Sequence, residues 1–198
     1  MVVHFIACEQ SMSFTIRPAE LRDFDAITEI YAEAVELGTA SFELSVPDRA
    51  ELIERYKALA SQGYPYLVIG DDSGVQGYAY VGPYRARPAY RWVVENSIYL
   101  DKNSRGKGYG RALLQELIAA SANLGFRQMI AVIGDSANTG SIAVHRSCGF
   151  SMVGTLKDMG WKHGKWLDTV LMQLAMGGQG PANMDSLPGK MFELRKTP

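Results

Sequence analysis

The chain has 198 residues, with 20 Lys and Arg against 21 Asp and Glu, and this near balance argues against nucleic acid or an acidic membrane as partner. That length suits one domain whose core is large enough to stand alone. Two cysteines, Cys8 and Cys148, and three histidines are too few for a disulfide framework and argue against a zinc centre or any other metal site.

No apolar run reaches the roughly 18–20 residues of a membrane helix. Met1 to Met12 lacks a basic leader region and a small-residue cleavage site, so a cytoplasmic protein is expected. Residues 1–13 read as a loosely attached extension. Phe14 to Ala19 then predicts a short strand ended by Pro18. Asp23 can cap a helix with the apolar face Phe24, Ile27, Ile30, Tyr31, Ala34 and Val35, stopped at Gly38. In the loop Thr39 to Leu44, Phe42 is either a plug over the core or part of a site. Asp48 opens a second helix with Leu52, Ile53, Tyr56 and Leu59 as its stripe.

Tyr64 to Ile69 and Val75 to Val81 predict a hairpin through the turn Asp71 to Gly74. The loop Gly82 to Tyr90 carries Arg85, Arg87, Tyr84 and Tyr90 between prolines, and Arg91 to Leu100 reads as a central strand. A long amphipathic helix repeats Leu113, Leu114, Leu117, Ile118 and Leu124 at helical spacing. Gln128 to Ile133 is nearly continuously apolar, which suits a strand buried on both faces. Asn138 to His145 begins a short helix ending at Gly149. Phe150 to Leu156 and Leu167 to Leu174 read as the last strands, joined by Gly160 to Trp166. The domain spans residues 14–176, and 177–198 read as a tail beginning Gly177-Gly178-Gln179-Gly180-Pro181. The order β-α-α-β-β-β-α-β-α-β-β is an α/β or α+β sandwich of helices around a mixed sheet.

Between the central strand and the long helix lies Arg105-Gly106-Lys107-Gly108-Tyr109-Gly110. Glycine lets backbone N–H groups converge without a Cβ in the way, and the helix start adds partial positive charge, so the turn can cradle a phosphate. The run G-x-x-x-x-G-K-[ST] of a triphosphate loop is absent. The dinucleotide pattern G-x-G-x-x-G fails because Leu113 stands where its third glycine belongs. Arg105-x-x-Gly108-x-Gly110 does match [Q/R]-x-x-G-x-[G/A], the pyrophosphate signature of the GNAT acyl-CoA N-acyltransferases; a structural glycine turn is the plainer alternative.

Downstream, Asn138-x-x-Ser141-x-x-Val144-His145-x-x-Cys148-Gly149-Phe150 resembles a second GNAT segment, with His145 where most members have tyrosine. Thr39 to Phe42, Tyr80 to Tyr90, Val94 to Tyr99, Gly125-Phe126 with Ala131 to Gly134, and Gly160 to Gly164 resemble the phosphinothricin N-acetyltransferase subfamily, over roughly Phe14 to Leu174. The resemblance implies the GNAT fold, acetyl-CoA as co-substrate, and direct acetyl transfer to the α-amine of an amino acid such as phosphinothricin, methionine sulfoximine or methionine sulfone. It also implies a homodimer packed through the last strands, with Trp161 and His163 completing a neighbouring subunit's pocket.

The pyrophosphate is expected on the N–H groups of Gly106, Lys107, Gly108, Tyr109, Gly110 and Arg111, beside Arg105. By resemblance, Ile98, Tyr99 and Leu100 hold the pantetheine arm, an N–H near Leu100 polarises the thioester, and Asn138 and Ser141 belong to the cofactor site. An α-amine with a pKa of about 7.7–8.0 is largely protonated at pH 7, so a base is useful. Glu95 is either that base, directly or through a water, or an ordinary strand carboxylate. His145 is a thiolate acid, a second base, a substrate contact or a structural histidine. Arg85 and Arg87 suit an acidic substrate, if they are not simply solvated. Phe42, Ala86, Tyr90, Glu95, Asn96 and Ser97 complete the expected substrate side. A polycationic acceptor would favour an acidic loop in place of Arg85 and Arg87. A non-catalytic acyl-CoA-binding sensor would keep the cradle without needing Glu95 or His145.

Overall fold

The computed structural model describes residues 14–177; the extension expected over 1–13, residues 178–198 of the expected tail, and Cys8 lie outside the described residues. The strands are β1 (Thr15–Pro18), β2 (Tyr66–Asp71), β3 (Gly74–Pro83), β4 (Val93–Leu100), β5 (Gln128–Gly134), β6 (Ser151–Lys162) and β7 (Lys165–Ala175). The helices are α1 (Phe24–Glu36), α2 (Arg49–Ala60), α3 (Tyr109–Asn123) and α4 (Thr139–Ser147), in the expected order. One sheet runs β1-β2-β3-β4-β5-β7-β6, antiparallel throughout except for the parallel pair β4–β5.

Helical spacing becomes burial on both faces of the sheet. Leu113, Leu114 and Leu117 of α3 are fully buried against Val81, Val94, Met129 and Met172. Each such side chain contributes about 1.5–3 kcal/mol of burial. On the opposite face Phe24, Ile27 and Tyr31 of α1 pack on Tyr66, Val68 and Tyr78. Because side chains alternate along a strand, Val94 and Asn96 share the α3 face while Glu95, Ser97 and Tyr99 share the α1 face.

Three local expectations are corrected. Asp23 stands at the start of α1 but its side chain makes no capping bond to that helix. It is buried and accepts two hydrogen bonds of 2.7 Å from Arg17 and one of 2.8 Å from the Glu20 N–H, tying β1 to the helix. Burial alone would raise the Asp23 carboxyl; those donors reverse the sign and hold it below its ordinary value. Strand β5 is not buried on both faces: Val132 is 39% exposed, on the face where α1 and α2 cover β2 to β4. The expected connection Gly160 to Trp166 shrinks to His163-Gly164, both left-handed (φ 51° and 73°), between paired Lys162 and Lys165. Gly160 read as a loop glycine, yet a Cβ there would lie 2.7 Å from the Phe42 ring, so packing explains its lack of a side chain.

One feature of the sheet positions the site. The β4–β5 ladder ends at Asn96↔Ala131, although β4 stays paired with β3 as far as Leu100 and β5 with β7 as far as Gly134. Beyond Asn96 the two parallel strands diverge, so the edges of Ser97 to Leu100 and Val132 to Gly134 face a gap instead of one another.

Candidate active site

A cleft of about 600 Å³ opens from that gap, lined by Ile98, Tyr99 and Leu100 of β4, Arg105, Gly106, Gly108, Gly110 and Arg111 around the start of α3, Asn138, Gly140, Ser141 and Val144 around α4, and the end of α1. At its mouth Gly106 and Gly108 are left-handed (φ 79° and 85°), and a Cβ on either would meet no heavy atom within 4 Å. These two glycines are therefore set by backbone conformation, in an open concavity directly before a 15-residue helix. Gly110 is different: its ideal Cβ would lie 3.2 Å from Leu100 Cδ1, so it lets α3 approach β4. The side chains of Lys107 and Tyr109 do not line the cleft. Tyr109 is buried and donates to Asp71 Oδ2 at 2.8 Å.

Arg105 reaches across the mouth to Glu33 of α1 at 3.0 Å, and Lys102 lies 3.8 Å from the same carboxylate. Sequence reasoning missed Glu33, which lies outside the apolar stripe of α1. It also missed Asp135, a left-handed residue (φ 68°) that caps the Ala137 N–H at 2.9 Å and borders the cleft.

Deeper in, a second cavity of about 50 Å³ continues the cleft, sharing Ala40, Ile98, Tyr99, Asn138 and Ser141 with it. Asn96 and His145 line this cavity. His145 is 2% exposed; its Nδ1 lies 2.8 Å from the Ser141 carbonyl and its Nε2 2.8 Å from Asn96 Nδ2. Burial pushes the imidazole below its ordinary pKa, with the Ser141 carbonyl partly opposing. Asn138 caps α4 by accepting from the Ser141 N–H at 3.2 Å, so its Oδ1 already has one use.

On the other face of β4, Glu95 is half-buried. Burial raises its carboxyl above the ordinary range and nearby Arg85 partly offsets this, the direction a base working near neutrality needs. Arg85, Ala86, Arg87 and Tyr90 are all exposed on the loop after β3. Arg85 lies 5.1 Å over the Tyr84 ring, and Tyr90 meets Tyr84 edge-on at 5.9 Å. Ser97 bonds the Tyr80 hydroxyl, and Tyr99 is wedged between Tyr31 (5.0 Å) and Tyr78 (5.3 Å).

Phe42, 38% exposed, lies on the backbone of Gly134 and Gly160. Its loop is fastened by the β6–β7 turn: buried Lys162 donates to the Ser41 carbonyl at 2.7 Å and His163 Nε2 to the Gly38 carbonyl at 3.1 Å. His163 thus has a partner within its own chain, while Trp161 is exposed and packs edge-on against Trp166. The structure therefore brings the glycine cradle, the unpaired β4 edge, Asn96, His145, Asn138 and Ser141 to one cleft. Glu95 and the arginine loop approach from the opposite face of β4. No helix among the described residues is long and apolar enough to cross a membrane.

A sheet parted between its fourth and fifth strands, with a glycine turn at the start of the following helix, defines an acyl-CoA N-acyltransferase site. The model for the acetyltransferase (GNAT) domain matches residues 16–171, and the chain belongs to that family of N-acetyltransferases. More particularly, it is 47% identical over 159 residues to a phosphinothricin N-acetyltransferase from Alcaligenes faecalis, covering 80% of this chain and 81% of that one. It is 42% identical over 164 residues to an L-methionine sulfoximine/L-methionine sulfone acetyltransferase from Pseudomonas paraeruginosa, covering 82% and 95%. A crystal structure of a phosphinothricin acetyltransferase from Sinorhizobium meliloti in complex with acetyl-CoA superposes with a TM-score of 0.82 at 46% identity, over 89% and 99% of the two chains.

Proposed function

We propose that this chain is a cytoplasmic enzyme that transfers the acetyl group of acetyl-CoA directly to the α-amine of a small amino acid of the phosphinothricin, methionine sulfoximine or methionine sulfone type. The observation that carries this reading is the parted β4–β5 ladder ending at Asn96, which exposes a strand edge between the glycine cradle and Glu95. The names of the relatives support the acceptor class.

Bound acetyl-CoA supplies an activated acyl group, and the residues present fit it. The left-handed Gly106 and Gly108 leave open the space a Cβ would fill, and the N–H groups from there to Arg111 hold the pyrophosphate at the positive end of α3. The unpaired edge of Ile98 to Leu100 binds the pantetheine arm as an adjacent strand would, and an N–H near Leu100 polarises the thioester carbonyl. Glu95, whose carboxyl burial raises above its ordinary value and so makes a stronger base, takes as carboxylate the proton that the amine loses on attack. Arg85 and Arg87 present exposed guanidinium groups to the acceptor's acidic end, and Phe42 walls its aliphatic part. The exposed Met152, Val153, Met159, Trp161 and Trp166 on the β6–β7 side support a homodimer through that hairpin.

Thiol release with a panel of phosphinothricin, methionine sulfoximine, methionine sulfone and common amino acids tests this reading. Turnover should be greatest with the glutamate-like acceptors, and Arg85→Ala with Arg87→Ala should raise the KM for the amino acid and not for acetyl-CoA. Tight acetyl-CoA binding without thiol release for any acceptor would leave a sensor in place of an enzyme.

A further inference from the structure

Behind the glycine cradle runs a chain of hydrogen bonds whose members do not line the cleft. Tyr109, the first residue of α3, turns its ring into the core, edge-on to Phe14 at 5.5 Å, and its hydroxyl donates to Asp71 Oδ2 at 2.8 Å. Ser104, 1% exposed and directly before Arg105, donates its hydroxyl hydrogen to Gln76 Oε1. Gln76 Nε2 donates to Asp71 Oδ1 at 3.2 Å, and the Gln76 carbonyl accepts from the Asp101 N–H at 3.0 Å. Asp71 Oδ1 also accepts from the Ser73 N–H at 2.8 Å, the bond that makes it read in sequence as an ordinary turn residue. The chain Ser104–Gln76–Asp71–Tyr109 therefore fastens both ends of the cradle to one hairpin, β2–β3.

Between those ends lies the part of the loop least able to hold itself. Arg105 to Gly108 includes two left-handed glycines with no heavy atom within 4 Å of the Cβ position, so packing does not fix them there. Glycine also loses more backbone freedom on ordering than any other residue. At this end of α3 the Ala112 N–H bonds the Gly108 carbonyl at 3.1 Å; the N–H groups of Tyr109, Gly110 and Arg111 precede that bond and take their direction from where the first turn is held. We infer that Asp71 and Gln76 are positioning residues for the cofactor: through Tyr109 and Ser104 they set the cradle before the pyrophosphate arrives, so that binding need not order it. This rests on the acetyl-CoA reading above and adds to it two residues outside the cleft. Charge alone predicts the opposite effect. The Asp71 carboxylate, near enough to Lys107 to be influenced by it, disfavours an anion at the cradle, so without a positioning role its removal should help phosphate binding.

The test measures coenzyme A affinity by calorimetry well below the thermal midpoint, with the KM for acetyl-CoA and for L-methionine sulfone as second readouts. Tyr109→Phe removes one hydroxyl and keeps the ring in the core. It should weaken coenzyme A binding about 3- to 10-fold, within the range over which residues without ligand contact tune an affinity. Asp71→Ala should weaken it at least as much, and the double variant no more than Asp71→Ala alone, because the same bond is lost once. Asp71→Asn keeps an acceptor for the Tyr109 hydroxyl without the charge and should recover most of the affinity. The KM for acetyl-CoA should follow these changes while the KM for the amino acid stays near wild type. Gly125→Ala, strained at the far end of α3, is the control for stability and should bind coenzyme A as wild type does. Three results would overturn the inference: wild-type or tighter binding in Tyr109→Phe and Asp71→Ala, which would make the chain of bonds a scaffold only; losses in the two that simply add, which would show that the bond between them carries nothing; or an equal loss in Gly125→Ala, which would make the effect one of stability. Wild-type protein that binds no coenzyme A would remove the cofactor reading and the inference with it, whereas binding weakened by Gly108→Ala but not by Tyr109→Phe would remove the inference alone.

Discussion

Gly108 and Gly125 offer a matched pair of substitutions at the two ends of α3. Both are left-handed (φ 85° and 89°), and a Cβ on either would meet no heavy atom within 4 Å, so Ala at each site is strained by backbone conformation and not by contact. That conformational penalty is about 1–2 kcal/mol for an L-residue, reduced by the lower entropy of the unfolded alanine chain to a net of about 1 kcal/mol. For a chain of this size the thermal midpoint should fall by about 2–4 °C in both variants. Their ligand behaviour should differ, because about 22 Å of helix separates Gly125 from the cradle, at 1.5 Å rise over the 15 residues of α3. Misdirecting one N–H that faces a pyrophosphate forfeits a charge-assisted bond of about 1.5–3 kcal/mol, or roughly 10- to 100-fold in Kd. Calorimetric titration with coenzyme A should therefore weaken markedly for Gly108→Ala and stay near wild type for Gly125→Ala. Equal affinities in the two variants, with equal losses of midpoint, would refute the cradle.

Glu95→Gln should lower kcat/KM by about 10²–10⁴-fold with coenzyme A binding intact. Because burial raises the Glu95 carboxyl in the folded state, ionisation destabilises the fold as pH rises; the glutamine variant should melt higher than wild type at pH 7–8, and the gap should close in acid as wild-type Glu95 protonates. Asp23 has the opposite sign: its depressed pKa contributes stability above the unfolded value, lost as pH falls through the folded one, so Asp23→Ala should lower the midpoint at neutral pH and by less under acid conditions. Gly134→Ala and Gly160→Ala should separate by what each Cβ meets. At Gly134 it is the Thr39 carbonyl oxygen, which cannot move cheaply, and a loss of at least about 1–3 kcal/mol is expected. At Gly160 it is the Phe42 ring at 2.7 Å, which can rotate away; stability should fall less while the KM for the amino acid rises, and a denaturant series with parallel kinetics distinguishes the two.

Local pattern determined a large part of this molecule. The apolar repeat of α3, the hairpin turn at Asp71 to Gly74, and the glycines before α3 each report a periodicity or a backbone angle that a few consecutive residues impose. For the same reason the glycine turn was legible in Arg105 to Gly110 with no partner element in view. Tertiary structure decided what depends on neighbours far apart in sequence. Asp23 looked like a helix cap until Arg17 of β1 claimed both its oxygens. Gly160 looked like a turn until Phe42, more than a hundred positions earlier, lay across it. Apolar β5 looked doubly buried, but burial is a property of what packs above a strand, and Val132 is left open. Glu95 and His145, each a separate candidate for the chemistry, lie on opposite faces of β4, because consecutive strand residues alternate and His145 pairs with Asn96. The sequence named these residues. Only the parting of two strands at Asn96 and Ala131, which no local pattern encodes, decided which of them meet.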